Sequence, residues 1–327
     1  MSPLVSIITP TYNHAAYIEA CITSVQAQTY TNWEMIVVND GSTDQTAQLV
    51  RALAEHDPRI TLIDQPNVGP LQLDQTYNTA LARARGELIA VLEGDDFWPP
   101  DKLSLQVPLH TPGVIMSYGR FELDTPTGRL PGPKPTFEGA LHSGAFLREV
   151  MLGRSQMLAV TQIISALALK VIGGFLQDSS PGAVDMATLL ALAQLDGEVV
   201  YSPLLLGYWR QHAGQSTQVR GLKLVEHNLL LSLKTLNSLP EAQRHRLNVS
   251  EAQVVAARQA QLADAYLGAM RHCLIERNRS EARVCASKLW RAGGPRRKVQ
   301  AALGQLGALG GFDLEPVFRY FDPAARR

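Results

Sequence analysis

Short apolar runs alternate with amphipathic stretches of helical length over residues 5–92 of this 327-residue chain. The runs with the length and composition of strands are residues 5–8, 34–38, 60–63 and 87–92. This alternation predicts a parallel sheet with helices on both faces, because each strand returns to the same edge through a right-handed crossover. The carboxyl ends of the strands then share one edge, where open α/β sheets bind their ligands.

Three carboxylates follow the last of these strands. Glu93, Asp95 and Asp96 come directly after the apolar residues 88–92, so they emerge at the carboxyl edge of the sheet. Neighbouring carboxylates repel one another unless they hold a cation, and oxygen ligands of this type suit Mg²⁺ or Mn²⁺. The segment therefore predicts a divalent-metal site, with a solvated acidic turn as the alternative.

Two more loops leave the same edge, at residues 9–14 and 39–44. The carboxylate of Asp40 can accept the N3–H of a uracil or thymine ring, a contact that rejects cytosine. Pro10 and Tyr12 provide a rigid turn and an aromatic face on which a base can stack, worth roughly 1–3 kcal/mol. Each of these residues alone could be purely structural, but together with the acidic segment they predict a pocket for a nucleoside diphosphate.

The composition indicates an ordinary globular protein, with 46% apolar residues and enough length for one large domain and a smaller one. Thirty basic and thirty acidic side chains cancel, so we expect no nucleic-acid partner. Three scattered cysteines fit a reducing compartment, and we recognise neither a signal peptide nor a membrane-spanning stretch. We therefore expect a cytoplasmic protein with at most peripheral association at the inner face of the membrane.

The first predicted domain covers residues 1–220. Beyond the alternating region, residues 114–118 and 198–201 have the composition of further strands. Residues 139–174 carry helical periodicity instead. We expect these later elements to flank the site at the sheet edge.

Residues 221–327 form the second predicted domain, which is entirely helical. It is rich in Leu, Ala, Arg and Gln, with helix breaks at residues 239–240, 277–278 and 293–295. This region could be a lid, a partner-docking surface or the contact of a homodimer. The basic residues 296–298 could touch an anionic membrane or simply end a solvated helix.

A family resemblance rests on ordered motifs along the chain. They are VSIITPTYN at residues 5–13, VVNDGSTD at 37–44, LEGDD at 92–96, Trp98, PDKL at 100–103 and YWRQH at 208–212. Together these motifs resemble the inverting family-2 glycosyltransferases of GT-A fold, most closely over roughly the first hundred residues. The resemblance implies a doubly wound mixed α/β sheet of GT-A type flanked by helices, here with a helical C-terminal appendage, and a nucleotide-sugar donor.

The resemblance also implies roles for individual residues. Glu93, Gly94 and Asp95 occupy the Asp-x-Asp motif, so Asp95 would be the main metal ligand and Glu93 would face the ribose or the metal's water shell. The base would stack near Tyr12 and bond to Asp40. The implied nucleotide-sugar contacts are Pro10, Tyr12, Asp40, Asn78, Glu93, Gly94, Asp95 and Arg210.

The implied general base is Asp185, which takes the proton of the acceptor hydroxyl in an inverting transfer. Asp at a helix start is also an ordinary cap, and Asp178 is the alternative base if the loop at residues 177–182 shifts the register. By the same resemblance, His212 would be a further metal ligand and Arg210 a phosphate partner. His14, in the first loop, is interpreted as a turn residue.

Three departures from the family pattern bear on function. Glu93 stands where the family usually has Asp, Tyr77 stands where it commonly has Arg before the asparagine, and Val184 replaces a usual Glu. Tyr77 cannot supply positive charge to a phosphate. These departures leave open how the donor is held on that side.

The function predicted from the sequence is a metal-dependent inverting glycosyltransferase of the hexosyl- or N-acetylhexosaminyl-transferase type. Its donor would be a nucleoside-diphosphate sugar, preferably a UDP-sugar, and its acceptor a hydroxyl of a glycan, a lipid-linked saccharide or a protein. One alternative is a nucleotide-sugar-binding module without transfer activity. Another is a nucleotidyltransferase, although residues 9–14 lack the Gly-rich basic loop expected of that class.

Overall fold

The computed structural model describes residues 2–178, 184–212 and 215–310, without the side chains of residues 216–221. The chain forms two compact units. The first contains the residues up to Val219 together with Leu239–Asn248, and the second contains Arg220–Ser238 and the residues from Val249 onward. Residues 239–248, which the sequence analysis placed in the helical region, thus belong to the first unit.

Nine strands in the described residues form one mixed sheet. They are β1 (Val5–Thr11), β2 (Trp33–Asp40), β3 (Ile60–Gln65), β4 (Leu88–Val91), β5 (Val114–Thr125), β6 (Gly128–Pro131), β7 (Gly139–His142), β8 (Ile163–Ser165) and β9 (Glu198–Arg210). The strand order is β3-β2-β1-β4-β8-β5-β9-β7, and β6 pairs with β5 at the side of this path. The predicted α/β fold class with a mixed sheet is therefore confirmed.

Twelve α-helices lie in the described residues. They are α1 (Ile18–Gln26), α2 (Thr46–Ala54), α3 (Leu73–Leu81), α4 (Lys102–Gln106), α5 (Ser143–Met151), α6 (Ala166–Ile172), α7 (Val184–Leu192), α8 (Ser216–Ser238), α9 (Glu241–Leu247), α10 (Glu251–Ile275), α11 (Arg279–Ala292) and α12 (Pro295–Gly310). The three helix breaks predicted after residue 221 fall between successive helices from α8 to α12. No helix in the described part of the chain is both long enough and apolar enough to cross a membrane.

The sequence predicted the centre of the sheet and missed part of its later half. Strands β1 to β4 pair in parallel in the order expected from crossovers, and every residue of β1 and β2 is buried. The helical periodicity predicted over residues 139–174 was wrong in part, because β7 and β8 lie within it. Short strands of three or four residues are too brief to show the two-residue alternation that identifies a strand.

Strands β1 and β2 are longer than predicted. Pro10 and Thr11, expected in a loop, are the last residues of β1 and pair with Val38 and Asn39 of β2. Strand β4 ends at Val91, opposite Ile8, so Pro10 lacks a β4 partner that would need its missing N–H. The loops at the carboxyl edge are therefore shorter and more firmly held than the sequence indicated.

At the amino ends of β1 and β2, the backbone packs tightly around Gly86. Its N–H donates to the hydroxyl of Ser6 at 2.8 Å, and this hydroxyl donates to the Glu34 carboxylate at 2.7 Å. The Glu34 carboxylate also accepts from the Arg85 guanidinium at 2.6 and 2.8 Å. A methyl group on Gly86 would lie 2.6 Å from the carbonyl oxygen of Leu4 and 2.7 Å from the Ser6 nitrogen.

We predict that Gly86→Ala destabilises the first unit, because the added methyl must displace backbone on β1 and not a flexible side chain. Overpacking of this kind costs about 1–3 kcal/mol, which corresponds to a loss of about 2–4 °C in Tm per kcal/mol for a unit of this size. Differential scanning calorimetry measures the shift. The matched control is Gly144→Ala in α5, where the new methyl has ordinary contacts and alanine favours the helix. Equal melting temperatures for the two variants would contradict the packing argument.

Candidate active site

Two loops at the carboxyl edge are joined by side-chain hydrogen bonds. Asn13, which has a positive φ of 53°, accepts from the N–H of Thr43 through its side-chain oxygen at 2.8 Å. Asp44 accepts from the N–H of Ala15 at 3.0 Å and from that of Thr46 at 2.9 Å. These bonds fix the loop after β1 against the loop after β2. The convergence predicted for these two loops is therefore confirmed.

The acidic segment after β4 packs directly against the end of β1. The N–H of Gly94 donates to the carbonyl of Pro10 at 3.1 Å. A methyl group on Gly94 would lie 2.4 Å from the hydroxyl oxygen of Thr11 and 3.0 Å from Nδ1 of His14. Gly94 is thus required for close approach of the two segments, and its predicted role in binding the nucleotide sugar stays a prediction.

Glu93, Asp95 and Asp96 form the acidic cluster of the site. One carboxylate oxygen of each lies within 4.8 Å of those of the other two. Burial raises the pKa of Asp96 well above its usual range, and the charges of Asp95 and Glu93 raise it further. The backbone N–H of Arg210 offsets part of this cost by donating to Asp96 at 2.9 Å. The cluster is therefore a set of acids held together against their mutual repulsion.

Asp95 is the acid that the two histidines approach. Its Oδ2 lies 3.0 Å from Nε2 of His212 and 3.9 Å from Nε2 of His14. Burial opposes ionisation of Asp95, but the hydrogen bond with His212 and the charge of His14 outweigh it and lower the pKa. Burial also lowers the pKa of His14, against the opposing charge of Asp95. At neutral pH the site therefore presents an Asp95 carboxylate beside the weakly basic imidazole of His14.

Glu93 lies on the other side of the cluster, against a buried tyrosine. The hydroxyl of Tyr77 donates to Oε1 of Glu93 at 2.6 Å. Burial and the charges of Asp185 and Asp95 raise the pKa of Glu93 to about 8, although the Tyr77 hydrogen bond lowers it. The substitution of Tyr for the family's usual Arg thus has a structural explanation, because Tyr77 holds Glu93 and does not supply charge.

Asp185 lies beside this cluster, at the second position of α7. The charge of Asp185 raises the pKa of both Glu93 and Tyr77. Asp185 therefore lies at the same edge of the sheet as the acidic cluster. Its side chain is exposed to solvent, yet the surrounding protein desolvates it enough to raise its pKa to about 6. Asp178 is half-buried, and residues 179–183 between the two acids lie outside the described residues.

These groups fit a divalent cation. The three carboxylates offer oxygen ligands within 4.8 Å of one another, and the imidazoles of His212 and His14 lie 3.0 and 3.9 Å from Asp95. Burial and the charges of neighbouring acids raise the pKa values of Glu93 and Asp96, a cost that a bound cation would reduce. Asp95 and His212 are the pair already in direct contact. The predicted ligand roles of Asp95 and His212 are thus compatible with the geometry.

Arg210 is tied to the acidic segment. Its Nη1 donates to the backbone carbonyl of Asp95 at 2.8 Å, and its Nε lies 3.7 Å from a carboxylate oxygen of Asp124. The guanidinium also lies 4.8 Å from the ring centre of Phe97 and 5.1 Å from that of Tyr17. These contacts hold the guanidinium beside the acidic segment. A direct contact of Arg210 with a phosphate stays a prediction.

The carboxylate of Asp40 is already engaged within the protein. Its Oδ1 accepts from Nε2 of Gln65 at 2.7 Å and from the N–H of Val68 at 3.0 Å. Its Oδ2 accepts longer bonds, at 3.3 Å, from the side chain of Asn67 and the N–H of Gly69. A base that bonds to Asp40 must therefore replace one of the two long contacts. Tyr12, by contrast, is 45% exposed and leaves its ring face open for stacking.

Asn78 supports a loop of the first unit. Its side chain donates to the carbonyl of Phe175 and accepts from the N–H of the same residue, both at 2.8 Å. A side chain at Gly174, which has a φ of 102°, would lie 2.5 Å from the Asn78 side-chain oxygen. The amide of Asn78 thus holds this loop. Its predicted contact with the nucleotide sugar stays a prediction.

The sequence analysis missed the participation of two residues. His14, assigned to a turn, reaches Asp95, and Tyr77, treated as a loss of charge, bonds to Glu93. The position of His14, two residues after Tyr12, does not indicate in the sequence that its side chain reaches Asp95. The sequence does single out Tyr77, because it stands directly before Asn78, where the family commonly has Arg.

The comparisons with known proteins concern the same segments. Residues 6–143 match the sequence model described as glycosyl transferase family 2. The UDP-Glc:alpha-D-GlcNAc-diphosphoundecaprenol beta-1,3-glucosyltransferase WfgD of Escherichia coli is 40% identical over 121 residues, which are 37% of this chain and 46% of that protein. Chondroitin synthase of Pasteurella multocida is 39% identical over 103 residues, or 32% of this chain and 10% of that protein. The matched parts therefore cover less than half of either relative.

Solved structures resemble the fold over nearly the whole chain. The structure of Staphylococcus aureus TarS 1–349 in complex with UDP-GlcNAc has a TM-score of 0.58 at 18% identity, covering 93% of this chain and 88% of that one. The Pyrobaculum calidifontis mannosyltransferase PcManGT in complex with GDP-Man and Mn²⁺ has a TM-score of 0.57 at 20% identity, covering 97% and 83%. These likenesses confirm the predicted GT-A-type fold. Residues 6–143, less than half of the chain, thus match glycosyl transferase family 2, and the fold of the chain is of the GT-A type.

Proposed function

We propose that this protein is a metal-assisted, inverting glycosyltransferase that uses a nucleoside-diphosphate sugar. The observation that carries the proposal is the meeting of four acids at one sheet edge. Glu93, Asp95 and Asp96 lie within 4.8 Å of one another, and Asp185 is close enough to raise the pKa of Glu93. A binding module has no need for a separate desolvated carboxylate beside a metal-type cluster. A metal-assisted inverting transfer uses both groups.

Asp95 and His212 would hold the metal directly, and Glu93 would face its outer side because Tyr77 already occupies one of its oxygens. When bound, Mn²⁺ or Mg²⁺ supplies positive charge that stabilises the leaving diphosphate. Arg210 keeps the backbone of Asp95 in place and lies near enough to add a second positive charge on that side. The protein thereby fixes the position of the leaving group before reaction.

Asp185 would act on the acceptor. The acceptor oxygen forms a bond to the anomeric carbon, the bond from that carbon to the diphosphate oxygen breaks, and the diphosphate leaves with the electron pair. The acceptor's proton passes to the carboxylate of Asp185, and the anomeric configuration is inverted. A pKa of about 6 suits this role, because the group is ionised at neutral pH and is more basic than an ordinary aspartate.

The donor proposal is a UDP-sugar. Tyr12 offers an open ring for stacking, and Asp40 offers an acceptor to the N3–H of uracil if one long internal bond yields. One solved structure of similar fold is a complex with UDP-GlcNAc, and another is a complex with GDP-Man. The fold therefore accommodates both nucleotides, and the base contacts of this chain decide between them.

The acceptor proposal is a saccharide hydroxyl, on a glycan, a lipid-linked saccharide or a protein. One relative is named for transfer to a diphosphoundecaprenol-linked GlcNAc, which favours a lipid-linked saccharide among these. Such an acceptor would place the protein at the cytoplasmic face of a membrane. The helical C-terminal region is proposed to serve as a docking region.

The test of the proposed activity is release of nucleoside diphosphate from a panel of UDP-, dTDP- and GDP-sugars. Release should require Mn²⁺ or Mg²⁺ and should rise when a saccharide acceptor is added. The anomeric configuration of the product, read by NMR, tests inversion. Tight donor binding without turnover under any of these conditions would favour the binding-module alternative.

We predict that Mn²⁺ raises the Tm of the wild type and does not raise that of Asp95→Asn. Glu93 has an ordinary pKa of 4.5 and a folded pKa of about 8, so the metal-free fold loses stability as pH rises through that interval. A bound cation offsets this loss, and the rise in Tm should therefore be larger at pH 7.5 than at pH 5.5. Asp101→Asn, an exposed acid without a side-chain cap bond, is the matched control. A full Mn²⁺ response in Asp95→Asn would remove Asp95 from the metal site.

We predict that Asp40→Asn changes the choice of nucleotide. Asparagine can donate to N3 of cytosine, so the preference for UDP over CDP should fall by roughly tenfold, the value of a typical buried hydrogen bond. Competition by UDP, dTDP, CDP and GDP in the donor assay measures the ratio. Because Asp40 also holds the N–H groups of Val68 and Gly69, a purely structural role would weaken all four nucleotides equally. Such an equal loss, or best binding by GDP, would show that the base contact is elsewhere.

We predict that Asp185→Asn lowers kcat by about 10²–10⁴-fold with little change in the donor KM, because only the acceptor's proton transfer is lost. In the wild type, kcat should fall as pH drops below about 6, where Asp185 becomes protonated, and this acid limb should be absent in the variant. Asp178→Asn is the matched comparison. Near-normal turnover of Asp185→Asn with a strong loss in Asp178→Asn would exchange their roles. Normal turnover in both would refute the single-base mechanism.

A further inference from the structure

The last two described helices carry an unusual distribution of charge. After Glu281 in the first turn of α11, the residues up to the end of α12 at Gly310 contain six basic side chains and no acidic one, in a chain whose net charge is zero. The cations are Arg283, Lys288, Arg291, Arg296, Arg297 and Lys298. A local excess of this kind produces a positive surface that the balanced charge of the whole chain conceals.

Large apolar side chains are exposed on the same two helices. Trp290 of α11 is 51% exposed, and Leu306 of α12 is 59% exposed. Along α12, the exposed residues Val299, Ala302, Leu306 and Leu309 recur at spacings of three and four, so they form one stripe on that helix. The amino group of Lys298 lies 5.9 Å from the ring of Trp290, which brings the basic start of α12 next to the exposed indole.

We propose that this α11–α12 surface, defined by Trp290, Arg291, Arg296, Lys298, Val299 and Leu306, binds an anionic lipid bilayer. Two other cations of the segment are used inside the second unit, since Lys288 pairs with Glu226 at 2.8 Å and Arg297 pairs with Asp264. Within the described residues, the structure gives no ion pair to Arg291, Arg296 or Lys298. These three are therefore available to lipid headgroups.

The combination of side chains fits a bilayer better than other anionic partners. Tryptophan is favoured at the level of the headgroups, aliphatic side chains enter the acyl boundary, and lysine and arginine meet anionic lipids. Phosphates of a nucleic acid would use the cations but would leave the apolar stripe exposed to water. A two-fold contact with a second copy would bury the stripe but would bring together two surfaces that both carry net positive charge.

The experiment is co-sedimentation of the full chain with vesicles of phosphatidylcholine alone and of phosphatidylcholine mixed with phosphatidylglycerol. We expect binding to the mixed vesicles only, weakened by salt, with a blue shift of tryptophan fluorescence as Trp290 enters the bilayer. Trp33 and Trp98 are buried already, so they add little to this shift. Binding of equal strength to both vesicles, or to neither, would overturn the proposal.

The test variant is Arg296→Glu with Lys298→Glu. Each cation near an anionic surface is worth roughly fivefold in affinity, so the double reversal should weaken binding by at least about twentyfold. The matched control is Arg83→Glu with Lys170→Glu, an equal change of charge on exposed residues of the first unit. Equal losses in the two double variants would show a general effect of net charge and would overturn the assignment to this surface.

A second variant, Leu306→Ser, tests the apolar stripe without changing charge, and it should weaken vesicle binding while retaining the melting temperature. Light scattering and a nucleic-acid binding assay run on the same proteins cover the other partners. Loss of a dimer or of nucleic-acid binding in these variants, without vesicle binding by the wild type, would overturn the proposal. Turnover of donor in solution should be unchanged in every surface variant, so this inference can fail while the proposed transfer activity stands.

Discussion

The mutual repulsion of buried carboxylates is the constraint on which the rest of the site depends. Glu93, Asp95 and Asp96 come together in surroundings that penalise their charge, and each has a different compensating contact. A tyrosine hydroxyl holds the first, a histidine the second and a backbone N–H the third. Such an arrangement is unstable as an isolated set of anions, and it becomes favourable when a cation is present. Binding of a cation at this edge of the sheet would therefore lower the electrostatic cost of keeping the three carboxylates together.

The backbone, more than the side chains, makes this arrangement possible. Gly94 allows the acidic segment to approach Thr11 and His14, and Gly41 allows the loop after β2 to approach Asn67. Asp40 then anchors Val68 and Gly69 through their N–H groups. The edge is therefore a network of short loops that brace one another, and the side chains proposed to meet the donor extend from that network.

Much of the fold and part of the site could be predicted from the sequence, for physical reasons. The buried runs of β1, β2 and β4 are apolar enough to be recognised as strands. The position of Asp95 at the carboxyl edge of the sheet could be predicted because it comes shortly after one of these runs. The antiparallel strand β8 has only three residues and carries no periodicity to detect. His14 and Tyr77 reach the acids only because distant segments fold together, and a single sequence does not contain that information.

Helix α9 has a consequence for how the molecule can be divided. The chain leaves the first unit after Val219, returns for Leu239–Asn248 and leaves again. Leu239 and Leu247 are buried in this returning segment, and they line a cavity of about 590 Å³ together with Leu147 of α5. A chain truncated at residue 220 would therefore lose part of its own core and expose the apolar side of α5. The two units are interleaved in sequence, so no single cut of the chain separates them.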